Sequence, residues 1–396
     1  MNSSEQNPLQ QKVIKRRIAH LDMDAFYASV ALLRYPELRG LPVVIAGCDK
    51  HKPVLQADGN RHFFRLREYA GRGVITTATY EARAAGVFSG MGIMKAAQLA
   101  PDTILLPVDF SAYRHYSRLF KTAVTSIAPQ IENMGIDEIY IDLSDLPDDT
   151  ITLAQQIKQT VHKSVRLSCS IGIAPNKLLA KICSDLKKPD GITILDAVDI
   201  PDRIWPLPVN KINGIGPKAT QKLARLGITT IAELACAELS LLQTYFGRSY
   251  AIWLHEASRG IDHRPVITHT EPKSISRETT FDRDLHPHHD RAILSKSFTA
   301  LCVQVGEDLK RKGYTGRTIS IKLRFEDFHT ITRDITLTTY VTDPVQIRHA
   351  AGKCLKRIPL SRKVRLLGVK VSTLSSIHTL QDAEVSSVQR ELPLIM

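Results

Sequence analysis

Nowhere in the 396 residues do eighteen apolar residues run together, which excludes a membrane-spanning helix of ordinary length. The first seventeen residues, MNSSEQNPLQQKVIKRR, lack the apolar stretch of a secretory signal and carry their basic cluster last. A cytoplasmic protein without a membrane partner is the expectation. Cysteine is sparse: Cys48, Cys169, Cys183, Cys236, Cys302 and Cys354 are scattered, with no CxxC pair and no His/Cys spacing suited to zinc. They read as reduced core residues, not as a disulfide framework. No repeat at a period of 20 to 50 residues is visible, which excludes a solenoid.

What is present is an ordinary globular composition, 43% apolar and 23% charged, in a chain too long for a single core. The net charge is +13, and it is unevenly spread. Residues 273–376 hold 20 Lys plus Arg against 10 Asp plus Glu, a net +10 in about the last quarter of the chain. Such a segment suits a phosphate backbone, because neutralising phosphates releases counterions and gives affinity without sequence readout.

Along the chain, residues 18–21 form a short apolar strand that enters Asp22-Met23-Asp24, and residues 25–33 read as a helix ending before Tyr35-Pro36. On a strand, Asp22 and Asp24 would share a face. Residues 41–46 read as a buried strand, 47–73 as a polar, basic surface insertion, and 74–79 as another strand before a helix that starts near Glu81. The spacing predicts a helix over 111–127, two strands over 131–143 bent at Met134-Gly135, a helix over 151–165, a strand over 167–173 and a helix over 176–186. Within that last helix Lys177 and Lys181, one turn apart, read as its solvated face. Residues 209–260 contain short helices punctuated by glycine, 263–272 read as a linker, and beyond them helices (291–312, 345–356) alternate with β-rich runs (317–325, 330–338, 364–374). The fold class is therefore α+β and multidomain.

Gly135 supplies a bend at which the neighbours Asp137 and Glu138 can converge rather than point to opposite faces. Together with Asp22 they would suit magnesium, a hard cation that takes a few carboxylates plus water and substrate phosphates. Each acidic motif alone is equally compatible with helix caps and turns. A DNA-binding scaffold without catalysis and a metal-dependent nuclease both remain open at this point.

Four segments, in order, resemble the Y-family DNA polymerases, the lesion-bypass group: His20-Leu-Asp-Met-Asp-Ala-Phe-Tyr-Ala-Ser-Val, Thr77-Ala-Thr-Tyr-Glu-Ala-Arg, Ile136-Asp-Glu-Ile-Tyr-Ile-Asp, and the run from Asn176 through Lys188-Pro-Asp-Gly. The resemblance implies a right-hand architecture: palm (18–26 and 107–195), fingers (27–106), helical thumb (196–262) and a DNA-binding little finger (273–376), flanked by tails at 1–17 and 377–396. It implies template-directed, error-prone synthesis past damaged bases, without proofreading, on primer-template DNA with deoxynucleoside triphosphates, by a monomer in the nucleoid-containing cytoplasm. It implies two Mg2+ ions held by Asp22, Asp137, Glu138 and the Met23 carbonyl, with Asp24 either supporting them or bonding within its own turn. Tyr27 matches the steric gate against a ribose 2′-hydroxyl, and Tyr80, Arg83 and Lys188 match triphosphate contacts. Lys211-Ile-Asn-Gly-Ile-Gly-Pro-Lys resembles a helix-hairpin-helix in which Gly214 and Gly216 approach a DNA phosphate. Ser276 and Arg277 match phosphate contacts at the start of the little finger. The final six residues, from Glu391 to Met396, resemble a sliding-clamp peptide, with Glu where Gln is common and Ile-Met where an aromatic is common.

Overall fold

The computed structural model describes residues 16–377, so the N-terminal tail before Arg16 and the clamp-like terminal peptide lie outside the described residues. The chain divides into two compact units, 1–269 and 270–396.

The first unit opens with β1 (Ile18–Met23), which runs straight into α1 (Phe26–Arg34) through Ala25 in a left-handed conformation, φ 42°. A small three-stranded sheet follows, built from β2 (Val43–Ile45), β5 (Thr77–Ala78) and β6 (Ile104–Leu106), with β2 in the centre. Before β5 the insertion carries a short hairpin, β3 (Val54–Leu55) and β4 (Arg61–His62). The insertion is not wholly superficial as expected. Leu66 and Tyr69 are buried in the core of this small sheet, and Leu105 N donates to Phe64 O at 2.7 Å, so the second half of the insertion lies along the edge of β6. Apolar residues inside an otherwise basic stretch are what anchor it. Helices α2 (Tyr80–Ala84) and α3 (Ile93–Leu99) complete the subdomain.

The chain then returns through α4 (Phe110–Thr125), β7 (Ile131–Asn133), β8 (Glu138–Asp142), α5 (Thr150–Val165), β9 (Cys169–Ala174), α6 (Lys177–Leu186) and β10 (Ile192–Ile194). The five-stranded sheet has the order β10-β9-β1-β8-β7, with β1 antiparallel to both neighbours. One face packs on α4 and α5 through Ala19, Leu21, Met23, Phe120 and Ile157; the other packs on α6 through Ile18 and Tyr140. Where β9 passes under α6, Gly172 is obligatory: a Cβ there would sit 2.2 Å from Ala180 O and Ser184 N.

The core under α6 continues into a helical subdomain made of α7 (Ile200–Arg203), α8 (Pro217–Ala224), α9 (Ile231–Cys236), α10 (Leu239–Phe246) and α11 (Arg248–Ser258). Two expectations change at the ends of this unit. Arg17 is not tail: its guanidinium donates to Asp148 O and Leu143 O, both at 2.8 Å. Nor are residues 263–267 a free linker, since Ile267 N donates to Glu132 Oε2 at 2.8 Å and the Asp262 carboxylate accepts from Leu178 N at 3.0 Å. Polar composition suggested a loose connection, whereas here the polar groups are satisfied by buried partners. Lys177, expected on a solvated face, is likewise buried: its ammonium lies between both oxygens of Glu132, at 2.7 and 2.6 Å.

The second unit is a four-stranded antiparallel sheet, β11 (Ser274–Leu285), β12 (Tyr314–Phe325), β13 (Thr330–Val341) and β14 (Val364–Ser376), in the order β11-β14-β12-β13. Helices α12 (Arg291–Lys312) and α13 (Pro344–Leu355) cover one face and share its core. The strand β11 is not foreshadowed in the sequence, because its charged side chains hide the period-2 pattern.

Candidate active site

Asp22 is the penultimate residue of β1, and Glu138, the first residue of β8, stands directly across from it. Like charges on opposed strand positions repel unless a cation lies between them. Asp137 occupies the turn before β8 and is stitched to the same place, its carbonyl accepting from Met23 N at 3.0 Å. Two side chains of α4 hold the bend: Ser117 Oγ donates to Ile136 O, and Lys121 Nζ donates to Gly135 O at 2.6 Å.

The three carboxylates feel one another. Burial raises the Asp22 pKa and the Asp137 charge adds to it, against the opposing pull of Lys188. Burial raises Asp137 as well, with Glu138 adding repulsion. Glu138 goes the other way, held at about 2 by its contact with His20 and, against burial, by Lys181. Burial works against the charge of Lys188, yet the flanking carboxylates outweigh it and its pKa rises. The Lys188 ammonium bridges Asp22 Oδ2 and Asp185 Oδ1, each at 2.9 Å, and Lys181 donates to Glu138 Oε2.

Among the described residues no three His, Cys, Asp or Glu side chains by themselves form a metal cage. That is compatible with magnesium, which keeps several waters and takes one or two carboxylates together with substrate phosphates. The donor set of opposed carboxylate oxygens fits such an ion; sulfur-seeking metals find nothing here.

Asp24 does not share a face with Asp22, because the strand ends at Met23. Its buried carboxylate accepts from Ser170 Oγ at 2.7 Å and from Asp190 N at 2.8 Å, tying down the loop that follows Lys188. Both partners of that carboxylate lie outside its own turn.

Tyr27 stacks on Tyr113, centroids 4.1 Å apart and planes 16° apart, and burial with the nearby Asp137 charge raises its pKa. Tyr80 and Arg83 do meet, the guanidinium lying 4.8 Å from the ring centroid. The Tyr80 hydroxyl is buried and has no hydrogen-bond partner among the described residues, an arrangement costing about 1–3 kcal/mol unless something fills it. Its pKa is pushed up to about 12, first by burial and then by the charge of Asp24. Asp22, Asp137, Glu138, Tyr27, Tyr80 and Lys188 are thus brought into one electrostatic neighbourhood. A cavity of about 570 Å³ bounded by Arg34, Tyr35, Asp109, Tyr113 and Tyr116 includes none of Asp22, Asp137 and Glu138.

In the helical subdomain, Gly214 adopts φ +113° and a Cβ there would sit 2.7 Å from the Trp253 ring. Tyr250 stacks on Trp253 and donates to Gly214 O at 2.8 Å, so α11 shapes the turn, while Gly216 caps α8 with Pro217 in its first turn. In the second unit, alternation along β11 separates the two candidates. Arg277 shares the helix-covered face with Ile275 and is clamped onto Asp308 by bonds of 2.5 and 3.0 Å. Ser276 faces the opposite, uncovered side, alongside Glu278, Ser320, Lys322, Thr332 and Lys370. Lys322, Lys370, Lys121 and His20 were not singled out from sequence, and Lys181 was expected only on a solvated helix face. The period-2 spacing of His20 from Asp22, and of Lys322 from Ser320, was the signal available.

Comparison with known proteins bears on the family and the fold. The impB/mucB/samB family model matches residues 21–185, its C-terminal domain matches 272–387, and a DNA polymerase-iota thumb domain matches 210–262. DNA polymerase IV of Methanoculleus marisnigri is 38% identical over 368 residues, covering 92% of this chain and 96% of that protein. DNA polymerase IV 1 of Bacillus subtilis is 37% identical, covering 89% of this chain and 81% of its own length. A solved Y-family DNA polymerase chimera superposes with a TM-score of 0.74 at 25% identity, over 90% of this chain and 98% of that one. Fold and site define a template-directed polymerase of right-hand architecture. The chain belongs to the Y family of DNA polymerases, matching the impB/mucB/samB family models. It is a DNA-directed DNA polymerase of the translesion kind, acting on primer-template DNA and nucleotides, and family membership implies dependence on a divalent metal.

Proposed function

We propose that Asp22, Asp137 and Glu138 hold two Mg2+ ions with help from the Met23 carbonyl, and that this centre joins a primer 3′-hydroxyl to the α-phosphate of a deoxynucleoside triphosphate, releasing pyrophosphate. The observation that carries the reading is the cross-strand pairing of Asp22 with Glu138, with Asp137 one residue away, at a strand end. When bound, the metal would lower the pKa of the attacking hydroxyl and offset charge on the departing phosphates. The protein's own groups then have simple tasks. Lys188 and Arg83 offer positive charge to the triphosphate, and the partnerless Tyr80 hydroxyl offers it a donor. Tyr27, braced by Tyr113, stands against the 2′ position of the sugar. Gly214 and Gly216 in the thumb, and Ser276 with its lysine neighbours in the second unit, grip the DNA backbone. Arg277 contributes to that surface only by releasing Asp308. The chain acts as a monomer in the cytoplasm, and the peptide from Glu391 to Met396 docks on a sliding clamp. Removing those six residues should then abolish the gain in processivity that a clamp confers; an unchanged gain disproves that docking.

The decisive test is extension of a labelled primer with Mg2+ and four deoxynucleotides. The wild-type chain should lengthen it. Asp137→Asn should slow incorporation by about a thousandfold, the equivalent of several kcal/mol of charge stabilisation. Shortening of the primer, or an undiminished rate in Asp137→Asn, would overturn the assignment.

A further inference from the structure

Along β1, Ala19, Leu21 and Met23 face one core, whereas Ile18, His20 and Asp22 face α6. His20 is fully buried, yet the reaction as described has no task for it. Every polar atom of its ring is engaged. Nδ1 lies 2.8 Å from Ser184 Oγ, and Nε2 lies 3.3 Å from Lys181 Nζ and 3.2 Å from Glu138 Oε2. The Ser184 hydroxyl donates to Lys181 O at 2.9 Å, which leaves its oxygen to accept from an Nδ1–H. An ammonium can only donate, so where Nε2 engages Lys181 it does so through its lone pair. His20 Nε2, Lys181 Nζ and Glu138 Oε2 thus form one closed cluster, each within hydrogen-bond or ion-pair reach of the other two.

The surroundings are built for this contact. Gly172 pairs with His20 across β9 and, having no side chain, lets α6 descend until Lys181 and Ser184 reach the ring. Tyr140, its neighbour on β8, packs against it with centroids 4.8 Å apart.

We propose that His20 is a positioning residue for Glu138, acting through Lys181. By engaging one donor of the ammonium, it keeps Lys181 on Oε2 and leaves Oε1 to turn toward a divalent ion. Without the imidazole, all three ammonium donors would turn to the carboxylates, and Lys181 would compete with the metal for both oxygens of Glu138. This inference rests on the assignment of Glu138 as a metal ligand.

The test uses the full chain with primer-template DNA and reads two quantities: Mn2+ binding, from the loss of the free-ion electron paramagnetic resonance signal, and the Mg2+ concentration giving half-maximal extension. His20→Leu should weaken Mn2+ binding and raise the Mg2+ requirement by about tenfold, within the range for groups that orient metal ligands. His20→Gln, whose amide oxygen can accept from Lys181, should restore most of the loss. In a Lys181→Met background, His20→Leu should have no further effect on metal affinity, because no ammonium remains to be held. A packing defect would instead lower the melting temperature and persist in that background, and that result would overturn the proposal. So would normal metal affinity in His20→Leu. Failure of the wild-type chain to extend a primer would instead sink the assignment of Glu138 itself.

Discussion

Tyr27 illustrates how little of a side chain's role resides in the side chain. As a tyrosine in an apolar helix it reads as core; stacked on Tyr113 and influenced by Asp137, it becomes a rigid wall beside the carboxylates. Tyr27→Ala should therefore reduce discrimination against ribonucleotides by at least about tenfold, the scale on which a pocket wall rejects one extra hydroxyl. Competition between radiolabelled deoxy- and ribonucleotides in primer extension measures it, and unchanged selectivity would remove Tyr27 from the gate. The lysines make the complementary point. Lys177 and Lys181 are one turn apart on α6, yet one is locked to Glu132 inside the protein and the other lies on a candidate metal ligand. Sequence spacing placed them on one helix face; what that face meets was invisible.

At the scale of the element, α6 is the organising piece. Asn176 caps it, accepting from Leu179 N at 3.0 Å, and also donates to Gly260 O at 2.7 Å, so one residue starts the helix and ties down the end of the thumb. The helix can carry Lys181 to the site only because β9 offers no side chain at Gly172. Gly172→Ala should cost at least about 1–3 kcal/mol, since the obstructing atoms are backbone and cannot rotate away. A fall in the urea midpoint without a change in slope would show it, and extension should weaken in parallel as α6 lifts. Full retention of stability would mean that the strand and helix are less closely packed than described. The bend at Gly135 and both strands around it were legible beforehand. The strand β11 was not, because a strand with one face on helices and one face open can carry charge at many positions.

At the scale of the whole molecule, the uneven charge acquires a location. The uncovered face of the second unit carries Lys322 and Lys370 among hydroxyl side chains, with Ser276 beside them, while Arg277 is spent on Asp308. Replacing Lys322 and Lys370 by alanine should weaken primer-template binding similarly for all sequences. Each lost phosphate contact should flatten the dependence of log affinity on log salt by about 1. Fluorescence anisotropy across a salt series reads this, and an unaltered slope would place the DNA elsewhere. Stability should change little, because the side chains lie on an exposed face.

The sequence by itself determined the composition of a multidomain α+β protein, the order of its strands and helices through the palm, the identity of the acidic residues and the basic bias of the last quarter. These are local properties, written in periodicity, turns and charge. Tertiary structure alone decided which acids oppose one another across β1 and β8, why Asp24 turns away, that His20 and Glu138 both meet the Lys181 ammonium, and that Ser276 and Arg277 part company. Each of those depends on register between segments more than a hundred residues apart, or on which face of a strand a helix covers, and no local pattern encodes either.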